Sequence, residues 1–232
     1  MISLKNISHK FNGLQVLSDI SFNIGENEII SIMGPSGCGK STLLKIIAGL
    51  IKAEQGEVIG IYNGISYVFQ DDRLLPWKTT WQNISLVKDV EEVEKIKSLI
   101  YDVGLQGFEN YRPFQLSGGM RKRCGVARAF YYDSNLMLLD EPFSGLDYYK
   151  RQEMMKMLLK VWNKRKRSVV FITHEVDEAL EIADRVIFFS ERPSKIIKEI
   201  HLPNREKMKR SNNFLNGIRN EILSTILNLN NA

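Results

Sequence analysis

Gly34-Pro35-Ser36-Gly37-Cys38-Gly39-Lys40-Ser41 fits the spacing G-x-x-x-x-G-K-[ST]. The chemistry open to such a loop is narrow. Its glycines let consecutive backbone N–H groups turn inward as a nest, and the helix that follows adds partial positive charge, so a polyphosphate can sit there. Lys40 is then placed to reach the β- and γ-phosphates, and the Ser41 hydroxyl to ligate magnesium. The second reactive set is acidic. Leu136-Met137-Leu138-Leu139 suits a parallel strand buried on both faces, and it delivers Asp140 and Glu141 at its carboxyl end, where doubly wound sheets bind ligands. Asp140 can hold magnesium, directly or through water, and Glu141 can orient or deprotonate an attacking water. A surface acidic pair is the alternative, but acids rarely follow a buried apolar run by accident. Together these residues point to a nucleoside triphosphate.

Three further candidates are less specific. Ser117 precedes Gly118-Gly119-Met120, a good N-cap before paired glycines that expose backbone N–H groups at a helix start. That is a second anion-binding terminus or a plain capped helix. His174 ends a buried run, Val169–Thr173, at the same end of a parallel sheet as Lys40, Gln70 and Asp140, which suits a γ-phosphate contact. Phe11, beside Asn12-Gly13, is an edge-strand aromatic or a platform for a base.

The elements that must position these residues follow from pattern. Residues 28–33 read as a buried strand into the glycine loop, and Thr42–Leu50 carries helical apolar spacing. Residues 1–24 alternate as two strands around the Asn12-Gly13 turn. A short β excursion spans 55–64, and Ile65–Phe69 is a strand ending at Gln70. Residues 91–103 form an amphipathic helix, so a helical insert interrupts the α/β alternation between roughly 72 and 133. Another helix covers 149–163, and strands lie near 186–189 and 196–197. Lys164-Arg165-Lys166-Arg167 reads as a solvated loop edge rather than a nucleic-acid patch. Trp77 suits a core or a partner groove equally. The tail places Phe214, Ile218, Ile222 and Leu223 on one stripe that docks on the body.

The 232 residues carry a net charge of +5, which selects neither nucleic acid nor membrane. Two cysteines, one inside the glycine loop, build no disulfide framework and fit a reducing compartment. The N-terminus lacks the apolar core of a signal peptide, and no run nears the ~18 apolar residues of a membrane span. Any spanning is expected from another chain.

The ordered set GPSGCGKS, Gln70, LSGGM, LMLLDEP with SGLD, and His174 resembles the ATP-binding subunit of an ABC transporter. The resemblance implies an α/β P-loop NTPase (RecA-like) core with an antiparallel β lobe and an inserted α-helical subdomain. It implies one ABC ATPase domain over 1–232: core 1–71 and 134–202, helical subdomain 72–133, C-terminal helical tail 203–232. ATP and Mg2+ are the implied cofactors. Gly34 to Ser41 and Thr42 would hold phosphates, with Phe11 against adenine. Ser41, Gln70 and Asp140 would serve the metal, and Gln70 would also couple to a transmembrane partner. Glu141, His174 and Gln70 would carry hydrolysis, Gln70 through the attacking water. Ser117, Gly118 and Gly119 would contact the γ-phosphate held by an opposite subunit, with Asp147 at the seam. Val68–Trp77, the Met-Arg after LSGG, Glu191–Ile196 and the tail 214–223 resemble the branch that energises nitrate, sulfonate and taurine uptake, which includes thiamine-precursor importers. Met120, Lys122 and Cys124 depart from the wider family's usual residues, and the excursion at 57–64 is short. The implied partners are a second ATP-binding subunit in a head-to-tail dimer, membrane permease subunits and, indirectly, an extracytoplasmic solute-binding protein, with no nucleic acid. The implied place is the cytoplasmic face of the membrane. A soluble ABC ATPase acting on nucleic acid or ribosomes, and an exporter ATPase, are the alternatives.

Overall fold

Alternating apolar and polar residues at the N-terminus produce a hairpin. Strands β1 (Ile2–Phe11) and β2 (Leu14–Ile24) pair antiparallel. Asn12 and Gly13 join them with φ of +48° and +81°, the left-handed pair that matches strand twist in a two-residue turn. The computed structural model describes residues 1–203 and 212–230. The chain divides into two compact units, Met1–Tyr62 with Ser168–Ala232, and Asn63–Arg167.

In the first unit, β3 (Ile29–Met33) is buried throughout and runs into the glycine loop and α1 (Lys40–Ile47). Strand β4 (Gln55–Ile59) adds to the free side of β1, giving the order β2-β1-β4. Strand β7 (Ser168–Ile172) flanks β3 on one side and β8 (Arg185–Phe189) on the other, both parallel to it. Five-residue strands buried at every position are what a parallel sheet covered on both faces demands. Strand β9 (Ile196–His201) closes antiparallel on β8. Among the described residues, two further helices belong to the unit, α6 (Val176–Ile182) and α7 (Asn212–Asn230). The tail docks on the body as expected: Ile218 and Ile222 are buried, Arg219 pairs with Asp177, and Lys198 meets Glu221 at 2.8 Å. Leu223, one residue round the helix, is 41% exposed and leaves the stripe. The side chain of Phe214 lies outside the described residues.

In the second unit, β5 (Ile65–Val68) lies parallel to β6 (Leu136–Asp140), with Val68 opposite Leu139. Four helices accompany them: α2 (Thr80–Ser85), α3 (Val93–Asp102), α4 (Gly118–Tyr131) and α5 (Tyr148–Lys164). Helix α3 buries Ile96, Leu99 and Ile100 as its period requires. Helix α2 escaped the periodicity argument because it is short. Its signal was local: Thr79 and Gln82 close a reciprocal capping box.

The basic run at 164–167 is a solvated edge only in part: Lys164 and Lys166 are exposed, whereas Arg165 is half-buried and Arg167 buried. Lys164 and Arg165 bind the two oxygens of Asp102 at 2.5 and 2.8 Å, and the Asp102 side chain is fully buried. Lys166 lies 3.3 Å over the Trp162 ring. Arg167, only 6% exposed, donates to the carbonyls of Ala129 and Phe130, the last turn of α4, whose orphan acceptors and negative dipole end favour a cation. Charge density in the sequence could not separate this internal use from solvation.

Candidate functional site

The glycine loop in the first unit is shaped by close approach. Gly39 is the N-cap of α1 with φ +116°, and a Cβ there would lie 2.7 Å from Val16 Cγ1. A Cβ on Gly34 would lie 2.8 Å from the Phe189 carbonyl. No side chain caps α1, so its first N–H groups stay directed at the loop, as a phosphate cradle needs. Lys40 is nearly buried, and its Nζ donates to the carbonyls of Gly34 and Pro35 at 2.8 and 2.7 Å. The ammonium is therefore held at the loop mouth rather than in bulk water. Ser36 and Gly37 are exposed, and Ser41 and Thr42 half-buried, on the same turn.

A brace invisible to local pattern supports the loop from the far end of the unit. Ser194 donates to the Cys38 carbonyl, Arg192 Nε donates to the Gly37 carbonyl, and Ser194 and Ser18 tie the segment to β2 through backbone bonds. More than 150 residues separate the partners, so spacing alone could not find them. His174 follows β7, and β7 neighbours β3, so His174 and the glycine loop leave adjacent parallel strands at their carboxyl ends. Phe11 ends β1, is 45% exposed, and meets His9 edge to face at 4.6 Å.

The second unit gathers Gln70, Asp140 and Glu141 at the carboxyl ends of β5 and β6. Gln70 Nε2 donates to Glu141 Oε2 at 3.0 Å. Glu141 itself has φ +47°, a left-handed backbone costly for a side chain of this size, and such strain concentrates at functional positions. Asp140 is buried and accepts the Tyr67 phenol at 3.2 Å. Burial and the neighbouring Asp140 charge push the Tyr67 hydroxyl far above its usual range, so it stays protonated and donates. Tyr67 is a site residue the sequence did not signal, because its link to Asp140 exists only through strand pairing.

Ser117 caps α4 by accepting from Met120 N at 3.3 Å, as expected of its type. Ser117 and Gly118 are exposed at the tip. Asp147 caps α5 through Lys150 N at 3.0 Å, and the Lys150 ammonium holds its carboxyl below the usual range. Gln70, Ser117, Gly118, Gly119 and Asp147 line one open groove of about 740 Å3, with Arg121, Lys122 and Lys150 supplying cations. Trp77 is 67% exposed, which removes the core alternative. Among the described residues no group of three or more His, Cys, Asp or Glu forms a metal cluster.

A loop that can cradle phosphates, a strand that ends in two acids, and a Ser-Gly-Gly helix tip define a nucleotide-binding cassette. The ABC transporter family profile matches residues 17–144, more than half of the chain, and the chain belongs to that family as an ATP-binding subunit. It is 39% identical over 213 residues to the aliphatic sulfonates import ATP-binding protein SsuB of Bacillus cereus, spanning 86% of this chain and 85% of that one. It is 44% identical over 191 residues to SsuB 2 of Pseudomonas syringae pv. tomato, spanning 82% of each. Among solved structures, a bacterial ABC transporter cassette determined as a dimer superposes with a TM-score of 0.76 at 30% identity, covering 88% of this chain and all of that one. The same cassette is also known in a post-hydrolysis state bound to ADP and Pi, with a TM-score of 0.75. The α/β P-loop NTPase fold inferred from the motifs is the fold of this chain.

Proposed function

We propose that this chain hydrolyses ATP to drive uptake of a small sulfonate-like solute through separate membrane subunits, with nitrate-, taurine- and thiamine-precursor-like solutes the neighbouring possibilities within the branch. The observation that carries this reading is the pairing of one phosphate cradle with one exposed Ser-Gly-Gly tip, in a chain whose relatives are named as sulfonate import subunits. A single copy holds one of each, so two copies closing head to tail build two complete sites, and a twofold axis achieves this. The cassette to which the chain is similar was determined as a dimer, which supports two copies acting together.

Each residue then has a task. Gly34, Pro35, Ser36, Gly37, Cys38 and Gly39 present backbone to the phosphates, Lys40 neutralises the β- and γ-groups, and Thr42 extends the cradle. Phe11, with its exposed ring, stacks on the base. Glu141, steadied by Gln70, takes the proton of the attacking water, and His174 hydrogen-bonds the γ-phosphate. Ser117, Gly118 and Gly119 close over the twin's γ-phosphate, with Asp147 at the seam. Ser41, Gln70 and Asp140 carry the hard oxygen donors magnesium prefers, and substrate oxygens and water would complete its shell. Bound magnesium would neutralise charge developing on the phosphates.

The exposed Trp77 and Phe114, both in the second unit, favour a face there for the permease. Relatives named as import ATP-binding proteins support a peripheral place on the cytoplasmic face; no helix among the described residues is long and apolar enough to cross a membrane. An extracytoplasmic solute-binding protein would act through the permease. In the basic run at 164–167, Lys164 and Arg165 pair with Asp102 and Arg167 is buried against α4, which gives little support to the alternative of action on nucleic acid or ribosomes. An exporter role finds no support in relatives named for import.

The test is Glu141→Gln with ATP and magnesium on a sizing column. The variant is expected to elute as a dimer with ATP and as a monomer with ADP. A variant that binds ATP yet stays monomeric at every concentration overturns the two-copy scheme.

A further inference from the structure

We propose that Asp72 and Arg121 form a positioning pair that locks the Gln70 segment to the Ser117–Gly119 tip, so that events at one nucleotide are felt at the other. This rests on the reading that the tip caps the nucleotide of a second copy.

The geometry lies within one unit. Arg121 Nε donates to Asp72 Oδ2 at 2.9 Å, while Nη1 of the same guanidinium donates to the carbonyl of Leu116 at 2.9 Å. One planar group therefore bridges the residue before Ser117 and the residue two beyond Gln70. Helix α4 adds further holds on that segment. Arg128, two turns on, donates to the carbonyls of Arg73 at 3.0 Å and Asp72 at 3.5 Å, and Lys122 Nζ lies 3.5 Å from the carbonyl of Gln70. Arg73 takes a left-handed φ of +43° with its guanidinium 3.7 Å over Phe69, so the turn after Gln70 has a defined shape to be gripped.

Exposure decides how much the pair can do. The Asp72 and Arg121 side chains are 21% and 37% exposed, partly withdrawn from screening. A rigid fork loses little freedom in making two bonds at once, which a lysine ammonium cannot reproduce. Displacing Gln70 therefore drags Leu116, and with it the helix start that displays Ser117, Gly118 and Gly119. In a head-to-tail pair Gln70 serves the nucleotide of its own copy and the tip serves the other. The Asp72–Arg121 bond is then a direct mechanical link between the two sites, and linkage makes that coupling reciprocal.

The test uses the full chain and four readouts: ATP affinity of the dilute monomer, melting temperature, the ATP concentration dependence of hydrolysis, and ATP-driven dimerisation in the Glu141→Gln background. Asp72→Asn and Arg121→Gln are each expected to keep monomer affinity within about twofold while the Hill coefficient falls from about 2 toward 1. Dimerisation is expected to need about 10-fold more protein. The exchange Asp72→Arg with Arg121→Asp is expected to recover part of both losses, as a coupled pair does. Arg121→Lys, the milder change, serves if the others fold poorly and is expected to fall between parent and Arg121→Gln. Variants with the parent's Hill coefficient and dimerisation midpoint overturn the proposal. So do losses that track melting temperature and show no recovery on exchange. Gly118→Asp separates the underlying reading, because a carboxylate at the tip repels a capped phosphate. If Gly118→Asp dimerises like the parent, the capping scheme is wrong. If it fails to dimerise while Asp72→Asn behaves as the parent, only the link is wrong.

Discussion

At the scale of single residues, function depends on backbone shapes that most side chains resist. Gly39 shows the steric side of this. Its φ of +116° and the proximity of Val16 and Leu17 leave no room for a methyl group. Gly39→Ala is expected to destabilise the protein by about 1–3 kcal/mol and to weaken ATP binding together with it, read by thermal melting and by titration with a fluorescent nucleotide. Glu141 shows the same economy from the other side, a non-glycine residue in left-handed backbone whose carboxylate is steadied by Gln70. Strain that would be selected against in a plain turn is tolerated where it aims an acid at the end of a buried strand.

At the scale of elements, buried charge organises the helices around the second unit's strands. Asp102 at the end of α3 is the clearest instance. Burial pushes its carboxyl up, but the hydrogen bonds from Lys164 and Arg165 prevail and hold it below the usual range. A folded-state value below the unfolded one stabilises the fold above the ordinary carboxylate value, near 3.9, and that stabilisation disappears as pH falls through the depressed value. Asp102→Asn is expected to cost about 1.5–3 kcal/mol at neutral pH, from loss of charge-assisted bonds. Urea midpoints of parent and variant should therefore differ at pH about 7 and converge as pH falls below the ordinary carboxylate range. A gap that persists in acid would place the stabilisation in packing instead.

At the scale of the whole molecule, both cysteines are buried, Cys38 within the glycine loop and Cys124 inside α4. Burial pushes the Cys124 thiol up to about 12, so it holds little thiolate at working pH. Thiol reagents at pH about 8 are expected to modify Cys124 only at the rate of unfolding, and the labelling rate should rise with urea in step with loss of structure. Labelling of the native protein on the mixing time scale would show that α4 opens locally. That helix carries both the Ser-Gly-Gly tip and the arginines that grip the Gln70 turn, so its integrity bears directly on how two copies would communicate.

The residues proposed to act on phosphate were legible in the sequence because their chemistry is local. A glycine loop between strand and helix, two acids after an apolar strand, and a serine before paired glycines each declare themselves within ten residues, and period and turn chemistry marked most of the elements that carry them. Tertiary structure alone decided what depends on distant partners. Ser194 bracing the glycine loop, Tyr67 on Asp140, Arg121 on Asp72, Arg165 on Asp102 and Arg167 on the end of α4 all join residues far apart in the chain. Charge and side-chain type state what a residue can bind. Only the packed chain settles which of its possible partners comes within hydrogen-bonding reach, because that choice is made by burial and strand pairing and leaves no periodic mark.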